Sequence, residues 1–259
     1  MKHLATTVLV LGALSGSTLA LADNAYQTLP FMQDWSNVGL ITADDNWSGA
    51  PGIIGYRGDN ATAGGGVDPQ TITFDDTPAN TGVAGSPVVD VNANKTAADL
   101  PAFFTGGATE YELTDPVVAL NGSGTADNPY LVFHINSQGF MNIDVSYLLR
   151  DIEDFGTDNS VQQFALQFRT SNTGSWTNVP AGYVPDATAG PALPLLTPVN
   201  VVLPSAADDQ PILEIRVMTT NAVGNDEWVG VDNIVITGTP IATATRTTTW
   251  GSLKSKYRK

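Results

Sequence analysis

Across residues 140–150 the apolar side chains fall on every second position. Met141, Ile143, Val145, Tyr147 and Leu149 alternate with Asn142, Asp144, Ser146 and Arg150, and Leu148 is the one exception. Successive side chains of an extended chain point to opposite faces, so a period of two predicts a half-buried strand and not an amphipathic helix. Residues 161–169 repeat the pattern, with Phe164, Leu166 and Phe168 facing one way and Gln163, Gln167 and Arg169 the other. Further strands are expected at 130–135, 199–203, 212–218 and 228–237, each bounded by Gly, Pro, Asn or Asp. Before residue 125 the pattern weakens to short runs at 53–56, 71–74 and 110–113, joined by Gly-rich stretches such as Ala63-Gly64-Gly65-Gly66. No helical period and no internal repeat of 20–50 residues appears, which leaves an all-β fold: an antiparallel β-sandwich of jelly-roll type.

The first residues address compartment. Met1-Lys2-His3 is a short basic start, residues 4–14 are mostly apolar, and Ala20-Leu21-Ala22 fits the small-x-small cleavage rule. Residues 1–22 are therefore expected to be a signal peptide cut after Ala22, with an extracellular product, free or held at the cell surface. No other stretch reaches the roughly 18 apolar residues of a membrane helix. The chain has no Cys, so disulfides and thiolate metal sites are excluded. Stability must come from the core, for which 42% apolar content with 5 Trp, 9 Phe and 7 Tyr suffices, and from any hard cation held by oxygen ligands.

Charge divides the chain. The 259 residues carry 11 Lys and Arg against 26 Asp and Glu, a net −15. Every acid lies between residues 23 and 245, where only five basic residues offset them for a net −21; residues 246–259 hold five basic residues and no acid, a net +5. The expected organisation is a sandwich over 23–238, then a Thr-rich linker and basic tail over 239–259. So acidic a body repels nucleic acid. The tail, with Trp250, Leu253 and Tyr257 spaced three and four apart, admits a short basic amphipathic helix suited to an anionic envelope component, a disordered end, or a segment folded back on its own acidic body.

Catalytic constellations are scarce. His134 is the one His after His3, which with the lack of Cys excludes a Cys nucleophile and any multi-His metal centre. Flanked by Phe133 and Ile135, it reads as a packed strand residue. There is no Gly-x-Ser-x-Gly elbow and no phosphate-cradling Gly-x-x-x-x-Gly-Lys. Two carboxylates suffice for glycoside hydrolysis, and Asp151, Glu153, Asp154 and Asp158 cluster after one strand while Asp226 and Glu227 precede another. They read either as solvated loop acids or as the acids of a polymer hydrolase. Trp47, Trp176 and Trp228 are candidate stacking platforms for a glycan.

Metal candidates sit on the last strand. Residues 228–237 alternate with both faces apolar, which makes a central strand carrying Asp232 on one face and Asn233 on the other. A carboxylate there is costly unless it is paired or holds a cation. If the first and last strands lie side by side, Asp34 approaches Asp232, and the two form a structural Ca²⁺ site; alternatively Asp232 pairs with Arg169 or Arg216. A second run, Asp90-Val91-Asn92-Ala93-Asn94, has calcium-loop spacing but lacks Gly at position six and Glu at position twelve, and reads better as a turn.

Residues 161–169 (Val161-Gln162-Gln163-Phe164 onward), residues 178–184 and above all the string Asn221-Ala222-Val223-Gly224-Asn225-Asp226-Glu227-Trp228-Val229-Gly230-Val231-Asp232-Asn233-Ile234 carry a family resemblance. Together with Asp45-Asn46-Trp47-Ser48-Gly49, Gly55-Tyr56-Arg57-Gly58 and Val67-Asp68-Pro69-Gln70, they resemble an amino-terminal β-sandwich module of secreted bacterial multidomain proteins. That module precedes endonuclease/exonuclease/phosphatase-type catalytic domains in extracellular nucleases and occurs in related surface proteins. The resemblance spans nearly the whole body, and the chain ends soon after it, so it implies an accessory sandwich without the catalytic domain. The expected function is non-catalytic: binding or adhesion to glycan or a surface protein, with Ca²⁺ as a structural cofactor. An extracellular glycosidase-like hydrolase and a structural surface-layer or matrix protein are the alternatives.

Overall fold

A computed structural model describes residues 23–59, 64–75, 88–100, 105–153, 160–190 and 195–242. The expected signal peptide, Asp154, Asp158 and the basic tail lie outside them. Among the described residues thirteen strands follow one another: β1 (Gln27–Thr28), β2 (Phe31–Gln33), β3 (Ile53–Tyr56), β4 (Asn92–Lys95), β5 (Gly107–Tyr111), β6 (Val117–Asn121), β7 (Tyr130–Asn136), β8 (Phe140–Asp151), β9 (Phe164–Arg169), β10 (Thr177–Asn178), β11 (Leu196–Val202), β12 (Leu213–Thr219) and β13 (Val229–Pro240). Among the described residues the remaining regular structure is single turns of 3-10 helix.

The strands form two sheets. One runs β1-β7-β12-β9-β10 with β3 also on β7; the other runs β11-β8-β13-β6-β5-β4 with β2 also on β13. From β6 to β9, and again from β10 to β13, each connection carries the chain across to the opposite sheet, the winding expected of a jelly roll. Two edge pairings, β1 with β7 and β4 with β5, are parallel, so the sandwich is not purely antiparallel.

Alternation fixes which side chains meet between the sheets. Ile143, Val145, Tyr147 and Leu149 of β8 face Leu131, Phe133 and Ile135 of β7, Phe164, Leu166 and Phe168 of β9 and Leu213, Ile215 and Val217 of β12 in one continuous core. The strong strands lie within a few residues of their expected positions. The weaker regions differ for local reasons. Residues 71–74 form no strand, because the Asp68 side chain accepts the Gln70 N–H at 2.9 Å and Pro69 starts a 3-10 turn over Pro69–Thr71. β6 gives no alternation to read, since all five of its residues are buried on both faces.

In β13 the alternation itself breaks. Val229 and Val231 face the core, but so do Ile234 and Ile236. Asn233, at φ 49°, forms a bulge that shifts the ladder to β8 between Asp232 and Val235 and turns its own side chain to solvent. Asp232 and Ile234 therefore do not share a face. At this bulge β13 changes neighbour from β6 to β2, and the Trp35 indole donates to the Val231 carbonyl at 2.8 Å.

Candidate binding cleft

The side chains that the core does not use on the six-stranded sheet point outward: Tyr130, Val132 and His134 from β7, Glu214, Arg216 and Met218 from β12, Gln167 and Arg169 from β9. Residues 64–75 strap over part of this face. Arg216 reaches through it to the Ile72 carbonyl, Gln167 donates to the Pro69 carbonyl at 3.2 Å, and the Trp176 N–H bonds the Thr73 carbonyl at 2.9 Å. Beneath the strap Tyr130, Val132, Trp176, Met218 and Ile72 make a second, smaller apolar cluster.

Beside the strap the face stays open as a cleft of about 200 Å³. Its floor is Val132, His134, Glu214, Arg169 and Trp176, and its rim includes the half-buried Tyr56 with the exposed Asn24 and Asn172. Tyr56 stacks on Tyr130 with ring centroids 5.0 Å apart.

Glu214 is the hub of the floor. Arg169 places Nε and Nη2 both 2.6 Å from Glu214 Oε2, and the Tyr26 hydroxyl donates to Oε1 at 2.8 Å. His134 Nε2 stands 3.7 Å from the same Oε1, while Nδ1 lies 3.3 Å from the Gly52 carbonyl oxygen. Burial lowers the His134 pKa against the pull of Glu214, so the ring is neutral at pH 7. Burial and the Glu214 bond both push the Tyr26 hydroxyl up. The Arg169 and Arg216 guanidinium carbons lie 4.2 and 4.4 Å from the Trp176 ring centroid, which orients two cations without using their hydrogen-bonding edges.

Several residues singled out in the sequence lie elsewhere or act differently. Trp47 and Trp228 are fully buried, Trp47 donating to the Asp90 carbonyl and Trp228 packing edge-on against Tyr111. Neither presents a ring face at the surface, and large rings of this kind supply the core. Trp176 does line the cleft, but at 3% exposure its face is taken by arginine.

The metal expectation meets a different arrangement. β2 lies beside β13, yet Asp34 is exposed and caps its own turn, accepting from Ser36 N–H and hydroxyl. Asp232 is buried with Oδ2 2.8 Å from Arg150 Nη1 and Oδ1 accepting the Asn233 N–H at 2.7 Å. The ion-pair partner is thus Arg150, not Arg169 or Arg216. A guanidinium already in place repels a cation, so this donor set does not fit Ca²⁺. Among the described residues no group of three or more His, Asp or Glu is arranged to hold a metal ion. The run 90–94 is no calcium loop either: Asp90 Oδ2 accepts the Ala108 N–H at 2.7 Å, and Asn92–Lys95 is strand β4.

Those acids weighed for hydrolysis that lie among the described residues hold turns. Asp151 accepts from Glu153 N–H, Glu153 from Trp228 N–H, Glu227 from Ser160 N–H and Asp226 from Ala222 N–H. None of these four lines the cleft. What sequence reasoning missed was the constellation itself, although part of the signal was present: His134, Arg169 and Glu214 occupy positions that alternate with the core residues of β7, β9 and β12.

No family model and no curated protein matches the chain. Among solved structures it is similar to CBM28, a carbohydrate-binding module specific for non-crystalline cellulose, at 15% identity over 52% of this chain and 83% of that one, with a TM-score of 0.38. TmCBM61, solved with β-1,4-galactotriose, matches at 11% identity over 48% of this chain and 71% of that one, TM-score 0.33. The CBM22-1 xylan-binding domain of Paenibacillus barcinonensis Xyn10C matches at 11% identity over 49% and 75%, TM-score 0.31. Likenesses this loose decide neither fold nor function; the strands and the cleft of this chain must carry both.

Proposed function

We propose that the chain is a secreted, non-catalytic β-sandwich module that binds glycan through the cleft on the outer face of its six-stranded sheet. One observation carries the reading: a sugar-sized hollow of about 200 Å³ brings aromatic rings together with the fixed polar groups of His134, Glu214 and Arg169 and the exposed amide of Asn172. Sugar rings present hydroxyls that donate and accept on their edges and apolar C–H faces. Concave sites with a few convergent polar groups on apolar walls suit such ligands, and the volume, below the roughly 300–1,000 Å³ of drug-sized pockets, suits one ring of a longer chain. Adhesion at a bacterial surface or matrix, and an accessory role beside an extracellular nuclease, belong to the same proposal and rest on the sequence resemblance. Hydrolysis is disfavoured because, among the described residues, Glu214 is the one carboxylate lining the cleft, and two are needed.

A glycan array and a polysaccharide pull-down, run with and without Ca²⁺, test this directly. The expected result is a bound glycan class, no dependence on Ca²⁺, and weaker binding by Tyr56→Ala. Absence of binding to every glycan, or retention at full strength by Tyr56→Ala and Asn172→Ala together, would refute it.

A further inference from the structure

The floor of the cleft contains one polar atom whose role the fold leaves open. His134 is 5% exposed, and because a carbonyl oxygen can only accept, the tautomer that uses the 3.3 Å contact with Gly52 is the one that carries its proton on Nδ1. Nε2 is then a bare acceptor lining the cleft. It faces Glu214 Oε1 at 3.7 Å, and that oxygen already accepts from Tyr26. Two acceptors held that close, with no proton between them, leave a place for a donor from outside the chain. We propose that His134 Nε2 is the cleft's acceptor for a ligand hydroxyl, and that acid shuts this contact by protonating Nε2 and handing it to Glu214 as an ion pair. The inference rests on the glycan reading and adds to it the hydroxyl-reading residue and the regulation of the site.

The groups around the ring set the direction. Glu214 on β12 and Asp23 ahead of β1 favour the imidazolium; Arg169 on β9 and burial oppose it; Tyr26 packs edge-on at 5.4 Å and, its own proton held by Glu214, adds no charge. At neutral pH the ring is an acceptor and the site is open. On acidification the new Nε2 proton finds Glu214 without any backbone movement, and a ligand hydroxyl meets a donor where it met an acceptor.

The residue's uniqueness makes the test clean. His134 is the one His beyond residue 3, so its ring nitrogens give single NMR signals in protein that begins at residue 23. At pH 7.5 they should report the Nδ1–H tautomer, and an Nε2–H tautomer would overturn the inference whatever the ligand does. Affinity is then measured from pH 8 to 5 against galacto-, cello- and xylo-oligosaccharides. Wild type should weaken by about three- to tenfold across the histidine titration, the worth of one hydrogen bond. His134→Asn, which keeps a donor toward Gly52 but has no atom at Nε2, should bind at pH 8 as weakly as wild type does once its histidine is protonated. His134→Gln, with an amide near the Nε2 position, should lose the pH dependence. Binding that is pH-independent in wild type, or unchanged in His134→Asn, overturns the inference and leaves the glycan reading standing. Failure of every oligosaccharide to bind at any pH overturns both.

Discussion

Replacing Asp232 by Ala removes the centre of a buried charge network and should be among the most damaging single changes in the second sheet. Asp232 is 1% exposed, and its Oδ2 holds Arg150, whose side chain is 10% exposed. Breaking a buried pair from one side costs about 3–5 kcal/mol, because the remaining charge is left desolvated. Arg150 would retain the Asp115 carboxylate at 3.1 Å and the Asp115 carbonyl at 3.2 Å, but that carboxylate is 67% exposed and compensates weakly, which places this loss near 3 kcal/mol. The bulge N–H of Asn233 loses its acceptor as well, for about 1 kcal/mol more. The sum of about 4 kcal/mol corresponds to a fall in melting temperature of about 8–16 °C in a domain of this size. Asp232→Asn keeps an acceptor for Asn233 and should lose less, and pairing Asp232→Ala with Arg150→Met should recover at least half of the loss by removing the stranded cation. Thermal unfolding followed by circular dichroism, with millimolar Ca²⁺ and without, checks all of this. A loss under about 1 kcal/mol, or a melting temperature that Ca²⁺ raises in wild type and not in Asp232→Ala, would refute the ion-pair account and restore the calcium one.

Other perturbations follow from the same structure. Burial raises the Asp90 carboxyl from 3.8 to about 7, so its contribution is fully present below about pH 4 and is lost as pH rises through 7. The full swing is about 4 kcal/mol; Asp90→Asn, which can still accept the Ala108 N–H, should flatten the decline in urea midpoint between pH 4.5 and 8, and an unchanged slope would contradict it. Glu110, raised to about 7, and Asp226, raised to about 6, act in the same direction, so wild type should be more stable at pH 5 than at pH 8 by chemical denaturation. Trp35→Phe keeps the ring beside Trp47 but loses the bond to the Val231 carbonyl at the bulge; the expected cost is about 1 kcal/mol in the same urea titration, and a neutral result would mean the bulge is held by other contacts.

The two-sheet architecture was legible wherever apolar and polar residues alternate, as in β8 and β9, where period two can be read directly. It was illegible in β6, whose residues are all buried, and at Asn233, where a single left-handed residue reverses the alternation. That reversal also explains why the partner of Asp232 could not be read: pairing Gly230 with Arg150 sets the guanidinium beside Asp232 only once the register of β13 on β8 is known. The cleft was half visible. Its polar residues stand at the non-core positions of three strands, but their convergence depends on the β7-β12-β9 order, which no local pattern specifies. Aromatic residues misled for a related reason, since rings scattered in sequence can serve a core as readily as a surface, and Trp47 and Trp228 serve the core.

The central claim, that the outer face of the six-stranded sheet is the ligand site, is tested most directly by mapping backbone amide shifts of the ¹⁵N-labelled protein as the best-binding glycan from the array is added. Changes should concentrate at residues 54–56, 130–134, 169–176 and 214, with little movement around Asp232 and Trp228. Shifts centred on the seven-stranded sheet, or on the loops away from the cleft, would contradict the account.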